Sequence, residues 1–175
     1  MNKPESNFSY RGMVLLFKIR DFFRPRKEIL KEAGIKPGFQ VLDYGCGPGG
    51  YIIPATELVG ESGKVFALDI NPLAIQIVQS LISKNHLKNV ATIQSDCQTG
   101  LPDNSIDIVL LYDTFHALVK PNEILSELHR VLKPDGILSF SDHHMKRDEI
   151  LSKVTNQGIF KLLKRGKRTY SFGKY

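Results

Sequence analysis

Residues 41–50, with the sequence VLDYGCGPGG, constrain this chain more than any other segment. The apolar pair Val41 and Leu42 is typical of the end of a buried strand, and Asp43 follows at its carboxyl tip. Glycines alternate through the next residues and predict a tight turn that bulkier side chains could not follow. The apolar residues YII then predict the start of a helix. A strand, a glycine turn and a helix in this order present bare N–H groups and the positive end of a helix dipole to an anionic group.

The glycines alone leave two classes of ligand open. Gly45, Gly47 and Gly50 match the GxGxxG dinucleotide fingerprint, and Asp69 follows at about the 20-residue spacing which that fingerprint requires. Asp43 favours a different ligand, because a carboxylate just before the loop would repel a pyrophosphate bound there. A ligand with a cationic amine, a carboxylate and a ribose would suit Asp43, the loop N–H groups and Asp69 in turn.

The rest of the chain alternates strand and helix patterns, which predicts a doubly wound α/β fold with a mostly parallel sheet. The predicted strands are 39–43, 64–69, 89–94, 106–111 and 137–141, and the predicted helices are 49–59, one from residue 72, 121–132 and 148–156. Residues 133–136, KPDG, predict a turn. Segments 158–163 and 167–172 predict an antiparallel hairpin that completes a seven-stranded sheet. We divide the chain into an N-terminal helical cap, 1–36, and one ligand-binding domain, 37–175.

Residues 43–49 resemble motif I of the class I S-adenosylmethionine-dependent methyltransferases, in which the loop has the pattern Asp/Glu-x-Gly-x-Gly-x-Gly. A doubly wound sheet that ends in an antiparallel hairpin is the Rossmann-like fold of that family, and the resemblance covers roughly residues 36–175. Residues 128–136, LHRVLKPDG, are similar to small-molecule methyltransferases of the ubiquinone-biosynthesis type, the type 11 methyltransferase domain. The resemblance implies S-adenosylmethionine as cofactor and a small molecule as methyl acceptor.

Polar residues follow four of the predicted strands, whose carboxyl ends share the edge of the sheet where ligands of such folds bind. The Asp69 carboxylate can accept hydrogen bonds from both ribose hydroxyls, and Asn71 takes the helix-capping role that Asp69 would otherwise have. The resemblance implies that Ile70 lies against adenine, that Asp96 accepts from its amino group and that the Cys97 N–H donates to a ring nitrogen. Asp96 as a surface acid and Tyr112 as a core residue stay open as alternatives. The predicted cofactor-binding residues are Asp43, Gly45, Cys46, Gly47, Asp69, Ile70, Asp96, Cys97 and Tyr112.

No catalytic residue is assigned from the sequence. Methyl transfer mainly needs alignment and exclusion of water, and it needs a base only if the acceptor must lose a proton. The candidates near the same edge are His116, Tyr112 and His143, with Asp113, Asp142 and His144 beside them. A lone histidine is more often structural than catalytic. We expect no metal site, because neighbouring residues in a strand point in opposite directions and no third ligand has metal spacing.

The charge is unevenly distributed along the chain. Residues 1–36 carry nine Lys and Arg against four acids, residues 145–175 carry nine against two, and the central 37–144 carry six against twelve. The acidic centre suits a sulfonium cation. The basic ends could attract an anionic acceptor, nucleic acid or lipid headgroups, or they could be a solvated surface that aids solubility. Nucleic acid is disfavoured, because residues 112–115, YDTF, lack the prolines with which amino-methyltransferases of nucleic-acid bases hold a flipped base, and the Pro-Cys nucleophile of cytosine C5 enzymes is absent.

Residues 8–23 mix aromatic and aliphatic side chains with Arg and Lys. They predict a lid over the site or a segment docked on the sheet, with a dimer contact or membrane-surface binding as alternatives. A monomer and a homodimer both stay open. We expect a cytoplasmic protein, because the sequence has no signal-peptide pattern, no apolar run near the ~20 residues of a membrane span, and two cysteines without a CxxC pair.

The sequence therefore predicts an S-adenosylmethionine-dependent methyltransferase that acts on a small molecule. The alternatives are an NAD-dependent oxidoreductase, for the literal glycine match, and a non-catalytic S-adenosylmethionine-binding protein, because the chain is short and has no evident substrate domain. The identity of the acceptor and of its methylated atom does not follow from the sequence.

Overall fold

The computed structural model describes residues 26–175, so most of the predicted N-terminal cap, including residues 8–23, lies outside the described residues. The helices α1–α5 span Arg26–Ala33, Ile52–Val59, Pro72–Lys84, Pro121–Val131 and Arg147–Thr155. The strands β1–β7 span Gln40–Tyr44, Lys64–Asp69, Val90–Gln94, Ile106–Tyr112, Leu132–Ser141, Phe160–Arg165 and Tyr170–Lys174. Between residues 26 and 175, no helix has both the length and the apolar character needed to cross a membrane.

The seven strands form one sheet in the order β3-β2-β1-β4-β5-β7-β6. The first five strands are parallel to one another, and β7 runs antiparallel to both β5 and β6. This confirms the predicted doubly wound sheet with its closing hairpin. Chain progression reverses between β1 and β4, and the carboxyl ends of these two strands therefore border the crevice where ligands bind in open α/β sheets.

Helices cover both faces of the sheet because alternate strand residues point to opposite sides. On β1, Leu42 and Tyr44 pack with α4 and α5, whereas Val41 packs with α1, α2 and α3. The central strand β4 divides in the same way, with Val109 and Leu111 on the first face. The apolar runs of both strands are consequently buried on two sides, which holds their polar ends rigidly at the rim.

Two predicted boundaries near the glycine turn and β5 differ from the structure. The helix expected from residue 49 begins at Ile52, because Gly49 has a φ of 79° that no helical residue adopts. The predicted KPDG turn, residues 133–136, lies inside β5 as an irregularity: Ile106 pairs with Leu132, and Ile108 already pairs with Ile137. The extra residues therefore bulge out opposite Asp107.

The predicted hairpin is present but lies two to three residues further along the chain. Gly158 does not begin a strand; it has a φ of 67° and its N–H donates to the Thr155 carbonyl, so it ends α5. The turn between the two strands closes through the Gly166 N–H, which donates to the Thr169 carbonyl. The predicted bounds of the hairpin were wrong because β6 exposes nearly all its side chains and lacks the alternation of apolar and polar residues that would fix its register.

Candidate functional site

The glycine turn after β1 is tied to the end of β2. The N–H groups of Gly45 and Cys46 both donate to the Leu68 carbonyl, and the Gly47 N–H donates to Oδ2 of Asp69 at 2.8 Å. Gly49 donates to the Cys46 carbonyl. The expectation of bare N–H groups is therefore wrong for these four residues, whose donors bond within the protein. The hydrogen bonds from the turn to Leu68 and Asp69 instead hold the ends of β1 and β2 together.

Asp43 lies at the carboxyl end of β1 with only 2% of its surface exposed. Burial raises the pKa of its carboxyl group to about 7, while nearby Arg26 lowers it and Asp69 raises it further. Its Oδ2 atom is buried and has no hydrogen-bond partner among residues 26–175. A buried carboxylate oxygen in this state is a fitting partner for a cationic group of a ligand.

Asp69 at the end of β2 accepts two backbone hydrogen bonds at 2.8 Å, from Gly47 and from Asn71. Burial raises the pKa of the Asp69 carboxyl group, and these N–H donors oppose the shift. As predicted, Asn71 caps α3, accepting from the Leu73 N–H at 2.9 Å. Each Asp69 oxygen keeps a further lone pair, so the carboxylate can still accept from two vicinal hydroxyls. The partly exposed Ile70 follows it at the rim.

The loop after β3 places Asp96 and Cys97 at the same rim. The Asp96 side chain is exposed, and its backbone carbonyl accepts from the Tyr44 hydroxyl at 3.2 Å. The Cys97 N–H donates to the Ser95 hydroxyl at 3.3 Å, so this predicted donor is already engaged, though at the long end of hydrogen-bonding distance. Tyr44 was not predicted as a site residue, although its place beside Asp43 at a strand end was a usable signal.

A buried acid on α4, which the sequence analysis also missed, anchors this loop. Oε1 of Glu127 accepts from both the N–H and the hydroxyl of Thr99, at 2.8 and 2.7 Å. Arg130 donates to both Glu127 oxygens at 2.8 Å, and these contacts lower the Glu127 pKa to about 2. The single acid on an otherwise apolar helix face could have revealed it.

Tyr112 is a core residue at the end of β4. Its hydroxyl lies 2.6 Å from the Ser139 hydroxyl, and its ring packs edge-on against Tyr51 with 5.1 Å between centroids. Burial raises the pKa of its phenol. The buried hydroxyl is therefore poorly placed to exchange a proton with an acceptor, while its ring supports the Tyr51 side chain.

Two histidine–aspartate pairs cross between the loops that follow β4 and β5. His116, after β4, places its Nδ1 2.9 Å from Oδ2 of the buried Asp142, after β5. His143, after β5, places its Nδ1 2.6 Å from Oδ1 of Asp113, after β4. Burial raises the Asp142 pKa, but bonds from His116 and the His144 N–H outweigh it and hold the pKa below its ordinary value.

The rings of His116, His144 and His143 lie side by side, with centroids 4.2 and 3.9 Å apart. The expectation that His143 and His144 point in opposite directions is wrong, because both lie in the turn after β5 and not in the strand. Across residues 26–175, no group of three or more His, Cys, Asp or Glu side chains is arranged to hold a metal ion.

A cavity of about 430 Å³ opens beside these pairs. Its walls include Asp113, Asp142 and His143 from the two loops, together with Tyr51 from the glycine turn. Two arginines also line it, Arg26 from α1 and Arg168 from the final hairpin. The remaining walls are formed by Ile29, Ser141, Met145, Ile150 and Tyr170. The structure thus brings His143 to the cavity, whereas His116 does not line it and contacts Asp142.

Arg26 is a site residue that the sequence did not reveal. Its guanidinium lies 4.7 Å from the centre of the Tyr51 ring, and any Cβ on Gly50 would overlap it. The last glycine of the turn therefore leaves room for a side chain from α1, about 24 residues upstream in the chain, whose flexible end would have to shift if Gly50 carried a Cβ. Arg26 therefore lies against the glycine turn, lowers the pKa of Asp43 through its charge and lines the cavity.

Comparisons with known proteins agree with this geometry. Residues 35–170 match the family described as a methyltransferase domain. A solved S-adenosylmethionine-dependent methyltransferase from Aquifex aeolicus is 32% identical, with 86% of this chain and 88% of that chain covered and a TM-score of 0.75.

Two curated relatives match over part of their length. Demethylmenaquinone methyltransferase of Geobacillus stearothermophilus is 30% identical, over 58% of this chain and 44% of its own. Aklanonic acid methyltransferase of Streptomyces sp. (strain C5) is 32% identical, over 61% of this chain and 52% of its own. The chain thus spans about half the length of these relatives. The fold and the family match together confirm the predicted resemblance: the chain belongs to the methyltransferase-domain family, with the class I S-adenosylmethionine-dependent fold.

Proposed function

We propose that the protein transfers a methyl group from S-adenosylmethionine to a small organic acceptor. The observation that carries the proposal is the buried Asp43 carboxylate beside the glycine turn, whose Oδ2 has no partner among residues 26–175. The cationic amine of S-adenosylmethionine would supply that partner. Other residues at the rim fit the rest of S-adenosylmethionine, because Asp69 can accept hydrogen bonds from the ribose hydroxyls and Ile70 offers an apolar surface.

We propose the following residues as the cofactor site: Asp43, Gly45, Cys46, Gly47, Asp69, Ile70, Asp96 and Cys97, with Tyr112 behind them in a supporting position. When bound, S-adenosylmethionine supplies a methyl carbon activated by its sulfonium. The chain's own residues then orient the acceptor in the adjoining cavity and exclude water from it. The cavity volume of about 430 Å³ suits a small molecule.

The relatives are named for methylation of demethylmenaquinone and aklanonic acid, which supports a small-molecule acceptor here. Arg26 and Arg168 on the cavity wall support an anionic one. We further propose that residues 1–36 form the cap over this cavity, and that the protein acts in the cytoplasm. Two free cysteines, Cys46 and Cys97, support a reducing compartment.

The nicotinamide alternative has less support. The dinucleotide-binding order is 3-2-1-4-5-6, whereas β7 is inserted here between β5 and β6. A pyrophosphate would also meet the carboxylates of Asp43 and Asp69 at a turn whose N–H groups are largely engaged.

Calorimetry with S-adenosylhomocysteine and with NAD tests the donor. We expect binding of S-adenosylhomocysteine, weakened by roughly 30-fold or more in Asp43→Asn, because a buried charge pair is lost. Asp135→Asn, an exposed acid near the opposite end of β5, is the matched control and should bind as the wild type does. Tight NAD binding without a response to S-adenosylhomocysteine would refute the proposal.

The acceptor is tested separately by product formation from radiolabelled S-adenosylmethionine. Demethylmenaquinone and aklanonic acid are the first acceptors to assay, because relatives are named for them. Methylation of either supports an enzyme. Binding of S-adenosylhomocysteine without product on either compound would favour the non-catalytic binding protein.

A further inference from the structure

The two crossed histidine–aspartate pairs are not equivalent. Asp142 is buried and accepts from the N–H groups of His116 and His144, as well as lying 2.9 Å from the His116 ring. That pair links the two loops, and only its Asp142 member lines the cavity. His143 and Asp113 both line the cavity, and half of the His143 side chain is exposed.

Asp113 is held in an uncommon conformation that aims its carboxylate at His143. Its φ is 50°, a left-handed value that side chains other than glycine seldom adopt. In this position its N–H donates to the Ser141 carbonyl at 2.7 Å, and its Oδ1 meets both the His143 N–H at 3.1 Å and the ring Nδ1 at 2.6 Å. Local strain of this kind is often found at functional sites.

The contact with Asp113 fixes the tautomer of the His143 ring. A carboxylate accepts hydrogen bonds, so Nδ1 carries the proton when the imidazole is neutral, and Nε2 keeps its lone pair. A histidine held by an acid in this way is the arrangement of a general base. The charged and titratable groups that share the cavity with it are Arg26, Tyr51, Asp142, Arg168 and Tyr170, and the His144 ring stacks on it.

We propose that His143 is the general base for the acceptor, that Asp113 positions it, and that the acceptor is a phenol or enol. The proposal rests on the proposed methyl transfer. The acceptor O–H bond breaks, its proton passes to Nε2 of His143, and the electron pair stays on the acceptor. That pair forms the new bond to the methyl carbon, while the carbon–sulfur bond of the donor breaks with its electrons left on sulfur. The imidazolium later returns its proton to water.

The choice of acceptor class follows from the charges around the cavity. A phenol or enol is neutral until it loses its proton, and Arg26 and Arg168 would then face the anion that forms. Asp113 and Asp142 line the same cavity, but each contacts a histidine ring, so their negative charge is directed at those rings as well as at an acceptor. The cavity therefore suits a nucleophile that becomes negative as it reacts.

Nitrogen-15 NMR of the histidine rings tests the base without an acceptor. We expect His143, assigned by its absence in His143→Gln, to show protonated Nδ1 and unprotonated Nε2. Asp113→Gly, which keeps the left-handed backbone without strain but removes the carboxylate, should lose this preference. Asp113→Asn, which retains an acceptor oxygen and tolerates the same φ, should restore it. A neutral His143 ring with its proton on Nε2 in the wild type would overturn the proposal.

4-Nitrophenol tests proton transfer, since its phenolate absorbs visibly. Added to the protein saturated with S-adenosylhomocysteine, it should shift the His143 Nε2 resonance and show more phenolate absorbance than in buffer of the same pH, and this excess absorbance should be lost in His143→Gln. No perturbation of His143, or a signal that is lost in His116→Gln instead, would refute the proposal. Calorimetry on the same samples separates this proposal from the proposed function. If S-adenosylhomocysteine binds but His143 takes no proton, only the role of His143 as general base is refuted. If His143 takes the proton but S-adenosylhomocysteine does not bind, only S-adenosylmethionine as methyl donor is refuted.

Discussion

The buried carboxyl group of Asp43 should make the unfolding free energy depend on pH. Burial raises its pKa from the ordinary 3.8 to about 7, so the folded chain holds a proton that the unfolded chain releases. Folding is therefore penalised as the pH rises from the unfolded pKa through the folded one. At 1.36 kcal/mol per pKa unit the full effect is about 4 kcal/mol, of which about 2.5 kcal/mol develops between pH 5 and pH 8.

Asp43→Asn removes this ionisation with almost no change of size. Urea unfolding at pH 5 and pH 8 should show the variant gaining about 2.5 kcal/mol on the wild type between the two conditions. Asp135→Asn, an exposed acid, is the control and should show no such gain. If wild type and Asp43→Asn change in parallel to within about 0.5 kcal/mol, the carboxylate is not desolvated as the structure indicates.

The remaining predictions concern the turn and the loop beside it. A Cβ on Gly45, whose φ is 77°, would lie 2.5 Å from the Thr114 hydroxyl, whereas one on Gly34, with a φ of 83°, meets nothing within 4 Å. Gly34→Ala should lower the unfolding free energy by about 1 kcal/mol because of its backbone conformation alone. Gly45→Ala should lower it by about 1–3 kcal/mol more, because of the clash with Thr114, and should weaken S-adenosylhomocysteine binding. Equal losses of unfolding free energy in the two variants would contradict the clash. Glu127→Gln should cost about 2–3 kcal/mol in urea unfolding, because it weakens buried hydrogen bonds, while the exposed Glu123→Gln should cost under about 0.5 kcal/mol.

The fold was predictable because its signals are local. Alternation of strand and helix patterns specified five parallel strands, and the nearly unbroken apolar run of β4 is typical of the central position that this strand has in the sheet. The acids at the ends of β1 and β2 were also identifiable, since a polar residue directly after a buried strand must lie at the rim. Asn71 followed by proline predicted the start of α3, and its side chain caps that helix as expected.

What the sequence could not predict depends on contacts between distant segments. Nothing near Arg26 indicates that its guanidinium packs on Gly50, because the contact is made by α1 folding against the glycine turn. The pairing of His143 with Asp113, and not with the neighbouring Asp142, depends on how two loops cross beyond β4 and β5. Three N–H donors of the turn were predicted to be bare for the same reason: their acceptors, the Leu68 carbonyl and the Asp69 carboxylate, lie on another strand.

These long-range contacts change how the glycine turn is understood. Because Gly45 and Cys46 donate to Leu68, the turn lies across the end of β2 and brings Asp43 and Asp69 to one place. Burial raises the pKa of both carboxyl groups, which means that each would gain from a ligand offering positive charge or hydroxyl donors. A pyrophosphate offers neither and would add negative charge to the same space. Selection between two cofactor classes with similar glycine patterns therefore follows from the acids that the turn assembles, and the glycines make that assembly sterically possible.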